Sequence, residues 1–294
     1  MQLKVFKTLW GYSGVPRQAA REAVEAGFDG IEGPVPASPE AREGLAAALE
    51  EHRLDYVAEI CTGGSYVPER KATPAAHLTD LENKIRIAQP LHPTLINVIA
   101  GCDAWPLQVQ CDFFAAAQQI GARHDVVLSF ETHRSRSMFN PWITEALIRH
   151  LPGLRLTADI SHWVVVTERL LDDDLDWQTM LAIAERVHHM HGRVGYPQGP
   201  QVPHPAAPEY AACLAFHQRF WAAVWHSQYL RGYSTSTLTP EFGPDGYLHT
   251  LPFTDQPVAD LWQLNRWIGD TERTHFQTCA GMRRPLTASR GTCP

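Results

Sequence analysis

What most constrains this chain is an eightfold alternation of short apolar runs with longer helical ones. Lys4–Trp10, Phe28–Glu32, Asp55–Cys61, Thr94–Ala100, Val126–Glu131, Leu154–Asp159, Val187–Val194 and Tyr233–Glu241 have the length and composition of strands. Gly11, Gly33, Gly63 and Gly101 close the first four. Between and after them, Val15–Gly27, Ser38–Leu49, Pro74–Ile87, Trp105–Ala122, Pro141–His150, Asp176–Arg186, Glu209–Gln228 and Val258–Ile268 read as helices. Pro16 sits near the start of the first helix and Gly27 stops it, while Glu40 and Glu43 bring acidic charge to the early turns of the second. Eight strand–helix units predict one (β/α)8 TIM barrel, an α/β fold in a single domain, rather than a doubly wound sheet. At 294 residues the chain has room for such a barrel over 1–281, leaving 282–294, which shows no apolar period, as a C-terminal tail.

In a barrel of this kind the chemistry gathers at the C-terminal ends of the strands. Alternation along Val187–Val194 puts His189, His191 and Arg193 on one face, with His188 and Met190 on the other. The Gly- and Pro-rich stretch that follows places that polar face at a loop mouth. One His-x-His pair also fits rings that merely pack, so the neighbouring strands decide. Glu131 ends Val-Val-Leu-Ser-Phe, Asp159 ends Leu-Arg-Leu-Thr-Ala, and Glu241 follows Thr-Leu-Thr-Pro. Four consecutive strands thus each offer a carboxylate or an imidazole. Carboxylates brought together repel, and a divalent metal relieves that repulsion. Three carboxylates with one imidazole suit Mn²⁺ or Mg²⁺, with Co²⁺ or Zn²⁺ also compatible. The six cysteines are scattered without a Cys-x-x-Cys spacing, so thiolates are not implicated and reduced thiols in a cytoplasmic protein are expected.

These residues resemble the xylose isomerase-like TIM barrels, a family that includes sugar epimerases, hydroxypyruvate isomerases, inosose dehydratases and, more distantly, endonuclease IV. In its ketose 3-epimerase branch the metal is held by Glu, Asp, His and Glu from the fifth to eighth strands. The resemblance implies that order for Glu131, Asp159, His191 and Glu241, and the sixth-strand Asp-x-x-His motif matches Asp159-Ile160-Ser161-His162. Two departures stand out. Where epimerases carry a further Glu beyond the fifth-strand ligand, this chain has His133, Arg134 and Ser137, and Arg193 follows His191 more closely than the epimerase substrate arginine follows its histidine.

The expected activity is isomerisation or epimerisation of a sugar or sugar derivative, with Glu131 and Glu241 as both ligands and acid/base groups about a metal-stabilised enediolate. An inosose dehydratase-like lyase is the near alternative. His162 and Arg193 are assigned to substrate oxygens, His133 and Glu59 to the pocket wall, Trp10 to stacking on a sugar and Asn97 to hydrogen bonding it. His189, nearer the barrel floor, supports from behind, and His188 faces the helices. Each has a bland counterpart: Asp159 as a helix cap, Arg193 as a partner of Glu131 or Asp159, Glu32 and Glu59 as rim residues, Trp10 and Asn97 as core or turn.

Charge narrows the classes further. With 25 Lys and Arg against 32 Asp and Glu, the formal net charge is −7, which disfavours nucleic acid and with it an endonuclease IV-like nuclease. A barrel that binds sugar without turnover stays open as an alternative. The N-terminal Met-Gln-Leu-Lys-Val-Phe-Lys lacks a signal-peptide core, and no apolar run is long enough to span a bilayer. The expected partner is a small-molecule carbohydrate. Phe216, Phe220, Trp221 and Trp225 make a stripe along Glu209–Gln228, mostly for packing on the barrel, with part available to a homo-oligomer contact.

Overall fold

A computed structural model describes residues 1–244 and 246–281, so the predicted tail lies outside the described residues. Eight strands run β1 (Gln2–Thr8), β2 (Gly30–Pro34), β3 (Asp55–Cys61), β4 (Leu95–Ile99), β5 (Leu128–Glu131), β6 (Leu156–Ala158), β7 (Val187–His191) and β8 (Thr235–Thr239). Every neighbouring pair is parallel, and β1 also pairs with β8, so the sheet closes into a barrel. The described helices are α1 (Pro16–Glu25), α2 (Pro39–His52), α3 (Pro74–Ala88), α4 (Leu107–Arg123), α5 (Pro141–His150), α6 (Ser161–Thr167), α7 (Asp174–Ala184), α8 (Ala211–Leu230) and α9 (Leu261–Gly281). Local chemistry sets several starts. Ser38 and Thr73 accept from the backbone N–H of Ala41 and Ala76 at the heads of α2 and α3, and Asn140 does the same for Ile143 in α5.

Alternation along the strands sorts two layers. Ile31, Ile96, Phe130, Leu156, Met190 and Leu238 face outward into the main core against the helices. Phe6, Val57 and Leu95 form a separate small apolar cluster inside the barrel. Gly30 makes room for it, because a Cβ there would lie 2.4 Å from the Phe6 ring. Above this plug the inward positions turn polar, with Asn97, Ser129, Thr157 and His189 all fully buried.

Most elements begin or end a few residues from expectation, and four differences matter most. The first strand is Gln2–Thr8 rather than Lys4–Trp10, so Trp10 lies in the turn after it. The seventh ends at His191, which leaves Arg193 in the loop. An unexpected short helix, α6, follows Asp159 and carries His162. The last helix runs to Gly281 instead of Ile268, since Leu264, Ile268, Glu272 and Phe276 continue one buried stripe. The aromatic stripe of α8 is consumed within the chain, with Phe216, Phe220, Trp221 and Trp225 all buried. Among the described residues no helix is long and apolar enough to cross a membrane.

Candidate metal centre

Strand register brings four chemistry-bearing residues to one point. Glu131 pairs with Thr157 and His191 with Thr239, so Asp159 and Glu241 fall two residues beyond Thr157 and Thr239, on the same inward face. A register irregularity between Leu156 and Thr157 shifts β6 against β7 so that Thr157 pairs with His189 and Ala158 with Met190. Glu131, Asp159, His191 and Glu241 are all buried, and one ligand-type atom from each lies within 4.8 Å of the others.

Nδ1 of His191 faces the three acids, 3.0 Å from Glu241 Oε2, 3.9 Å from Glu131 Oε1 and 4.0 Å from Asp159 Oδ2. It is aligned with none of them and has no hydrogen-bond partner. Its other nitrogen, Nε2, lies 3.1 Å from Glu32 Oε1. Each carboxylate is held from the side. Asn97 Nδ2 donates to Glu131 Oε2 at 2.7 Å. Asp159 Oδ1 accepts from the backbone N–H and hydroxyl of Ser161, at 3.0 and 2.5 Å, while Oδ2 takes Nη2 of Arg193. The cap and ion-pair readings of Asp159 and Arg193 are therefore both present in the geometry, alongside the convergence.

The electrostatics match that packing. Burial pushes Glu131 well above its ordinary range, helped by Glu241, Asp159 and Glu59 and opposed by His191. Burial would lower His191, but Glu241, Glu32 and Glu131 outweigh it and raise the imidazole well above its usual value. Protons thus gather where a divalent cation would neutralise the same charge. Three acids and a partnerless imidazole nitrogen make a donor set that fits a divalent metal, with Glu131, Asp159, His191 and Glu241 as the residues that could hold it.

A second trio, Glu131, His133 and His162, is just as close but chemically different. Arg193 Nη2 lies 2.9 Å from His162 Nε2. A guanidinium only donates, so Nε2 carries the lone pair and Nδ1 the proton. That Nδ1 has no partner, and an N–H does not ligate a metal. The His133 ring lies against His162, centroids 4.0 Å apart, and burial lowers His133 to about 3.

The cavity over the quartet is lined by Glu131, Glu241, Glu59, His133 and Arg193, with Trp10, Tyr66, Ile99 and Tyr247 around it. Glu59 and Trp10 therefore stand where the sequence suggested. Asn97 and His162 do not: Asn97 is fully buried beneath Glu131, and His162 is fully buried behind His133 and Arg193, so neither lines the cavity. Glu32 is no rim residue either, being 1% exposed. His188 turns away to the Tyr233 hydroxyl at 3.0 Å.

Tyr247, Gly243, Tyr66 and Arg136 escaped the sequence reading. Tyr247 lies in the long loop after β8, its ring 4.7 Å from the Arg193 guanidinium and 4.9 Å from the Trp10 ring. Trp10 seats on Gly243, where a Cβ would come within 2.0 Å of the indole. Tyr66 belongs to a loop that Arg136 fastens, its buried guanidinium donating to the backbone carbonyls of Thr62 at 2.7 Å, Tyr66 at 2.9 Å and Gly101 at 3.1 Å. Tyr247 follows Glu241 by six positions, across a stretch rich in Gly and Pro, which was the available signal for the first of them.

Comparison with known proteins agrees with this architecture. The family described as xylose isomerase-like TIM barrel matches residues 20–198. No match was found among curated proteins. Among solved structures, the apo form of YcjR, a 3-keto-D-glucoside 4-epimerase from E. coli, superposes with a TM-score of 0.63 at 16% identity, covering 93% of this chain and 100% of that one. An L-ribulose 3-epimerase gives 0.67 at 13%, covering 99% of each chain. The IOLI protein, in a structure with bound zinc, gives 0.64 at 11%, covering 97% of this chain and 100% of that one. At these identities the likeness is one of fold.

Proposed function

Because the chain belongs to the xylose isomerase-like TIM barrel family, we propose that it is a divalent-metal-dependent isomerase or epimerase of a sugar or sugar derivative. The observation that carries this reading is the convergence of Glu131, Asp159, His191 and Glu241 on one point with His191 Nδ1 partnerless among the acids. The sugar epimerases among the structural relatives support the same class.

When bound there, a divalent cation supplies Lewis-acid polarisation of adjacent carbonyl and hydroxyl oxygens of an α-hydroxy ketone. The chain's own groups do the rest. Glu131 and Glu241 reach the cavity from β5 and from just beyond β8, so the carbon next to the carbonyl sits between two carboxyl groups. One takes the carbon-bound proton and the other returns one. Return to the opposite face inverts the centre, and return to the neighbouring carbon interconverts ketose and aldose. Arg193 and His133 on the cavity wall meet substrate oxygens, and Trp10 with Tyr247 covers the space and limits water.

A second reading, elimination of water by a dehydratase-type lyase, is favoured by Glu59. This third carboxyl lines the same cavity, and burial with the charges of Glu241 and Glu32 pushes it up to about 8. A carboxyl that keeps its proton at neutral pH can protonate a departing hydroxyl. Incubating the protein and Mn²⁺ with a panel of ketoses and keto-sugar derivatives in D₂O tests both. Deuterium at carbon without loss of water is expected; loss of water turns the assignment to the lyase. Metal-loaded protein that exchanges no carbon-bound hydrogen on any member overturns the isomerase reading for that panel.

A further inference from the structure

We infer that Glu32, on the opposite side of the barrel from the fifth- to eighth-strand acids, is a positioning residue that fixes which nitrogen of His191 faces the metal locus. This rests on the metal reading above and adds a part for residues outside the quartet.

The argument is one of donors and acceptors. Glu32 is buried at 1% exposure, and its carboxylate meets two imidazoles, Oε1 at 3.1 Å from His191 Nε2 and Oε2 at 2.9 Å from His189 Nε2. An ionised carboxylate only accepts, so both Nε2 atoms carry hydrogen. For His191, once a cation replaces the proton on the side of the acids, this leaves Nδ1 as the nitrogen whose lone pair would face Glu131, Asp159 and Glu241, and that is the atom without a hydrogen-bond partner. For His189 it leaves Nδ1 to accept from the Thr237 hydroxyl at 2.8 Å. His189 thus secures the second oxygen of Glu32, and Thr237 secures His189. The chain of contacts runs from β8 through β7 to β2 and back to β7, tying His191 to a carboxylate that sits behind it rather than beside the quartet. Carboxylates placed behind metal-bound histidines fix ring orientation and make the ligand nitrogen more basic, and removing them typically weakens metal binding about 10- to 100-fold.

Glu32→Gln separates this from a merely structural role. A glutamine offers one acceptor and one donor to two imidazoles that both need an acceptor, so one of them must reverse its tautomer. Mn²⁺ binding to the purified protein, followed by calorimetry, should weaken about 10- to 100-fold in Glu32→Gln and recover in part in Glu32→Asp. In Zn²⁺-loaded wild-type protein labelled with ¹⁵N-histidine, His191 should show a protonated Nε2 shielded from water exchange. That resonance should shift or be lost in Glu32→Gln while the far-ultraviolet circular dichroism is unchanged. Wild-type Mn²⁺ affinity in a folded Glu32→Gln variant overturns the inference, as does a wild-type His191 whose Nε2 is unprotonated; the second holds even if the variant does not fold. Wild-type protein that binds neither metal sinks the metal reading instead, a result distinct from either.

Discussion

Strands β5 to β8 send Glu131, Asp159, His191 and Glu241 to a common point, whereas β2 to β4 send Glu32, Glu59 and Asn97 toward the same mouth without joining that quartet. The difference lies in what stands opposite each side chain. Glu32 and Glu131 are both glutamates at strand ends, and both are buried. Burial would raise Glu32, but His191 and His189 outweigh it and hold it well below the usual range, so it stays a fixed anion. Glu131, with acids for neighbours, is pushed the other way. The quartet supplies groups that take protons or a cation; Glu32 and Asn97 hold His191 and Glu131 in place, and Glu59 lines the cavity beside them.

Variants in the two halves should therefore differ in size and kind of effect. The largest falls on the side of β5 to β8: Glu131→Gln should lower kcat on the substrate found in the D₂O screen by about 10²- to 10⁴-fold, since it removes an acid/base carboxyl. Steady-state kinetics read this directly, and unchanged turnover would remove Glu131 from the chemistry. Glu32→Gln comes next, with the loss of metal affinity described above. Asn97→Ala should be smallest. It deletes the 2.7 Å bond that orients Glu131, and the net worth of one hydrogen bond is about 0.5–1.5 kcal/mol, so kcat should fall by up to roughly tenfold while Mn²⁺ still binds. An Asn97→Ala effect as large as that of Glu131→Gln would erase the distinction between holding and reacting.

Much of the barrel was legible because period-2 alternation and glycine stops survive in the sequence. Leu128, Phe130, Leu156 and Met190 alternate with Ser129, Glu131, Thr157 and His191, so both the strand and its inward face could be read. The end of α9 was hidden because Glu272 occupies a buried position of its apolar stripe, held by Gln218 at 2.8 Å and His275 at 3.0 Å, and a charged residue there looks like the end of the period. The short helix α6 buries Trp163 and Val164 in only seven residues, too few for a period to register. In the site, strand ends disclosed the quartet, but not the contacts that cross the barrel. Glu32 lies 157 positions from His189, and nothing local in either segment encodes their meeting. That Asn97 lies outside the cavity lining has a related reason. Alternation gives the face of a residue but not its depth, and Asn97 sits one layer behind Glu131, which does line the cavity; His162, on the short helix α6, sits behind His133.

The most direct measurement of the central claim is the stoichiometry of Mn²⁺ bound to metal-free protein, compared with Asp159→Asn. The account predicts one ion per chain, with binding largely lost in a variant whose circular dichroism is that of the wild type. No bound ion, several ions per chain, or an Asp159→Asn protein that binds as tightly as wild type would contradict it.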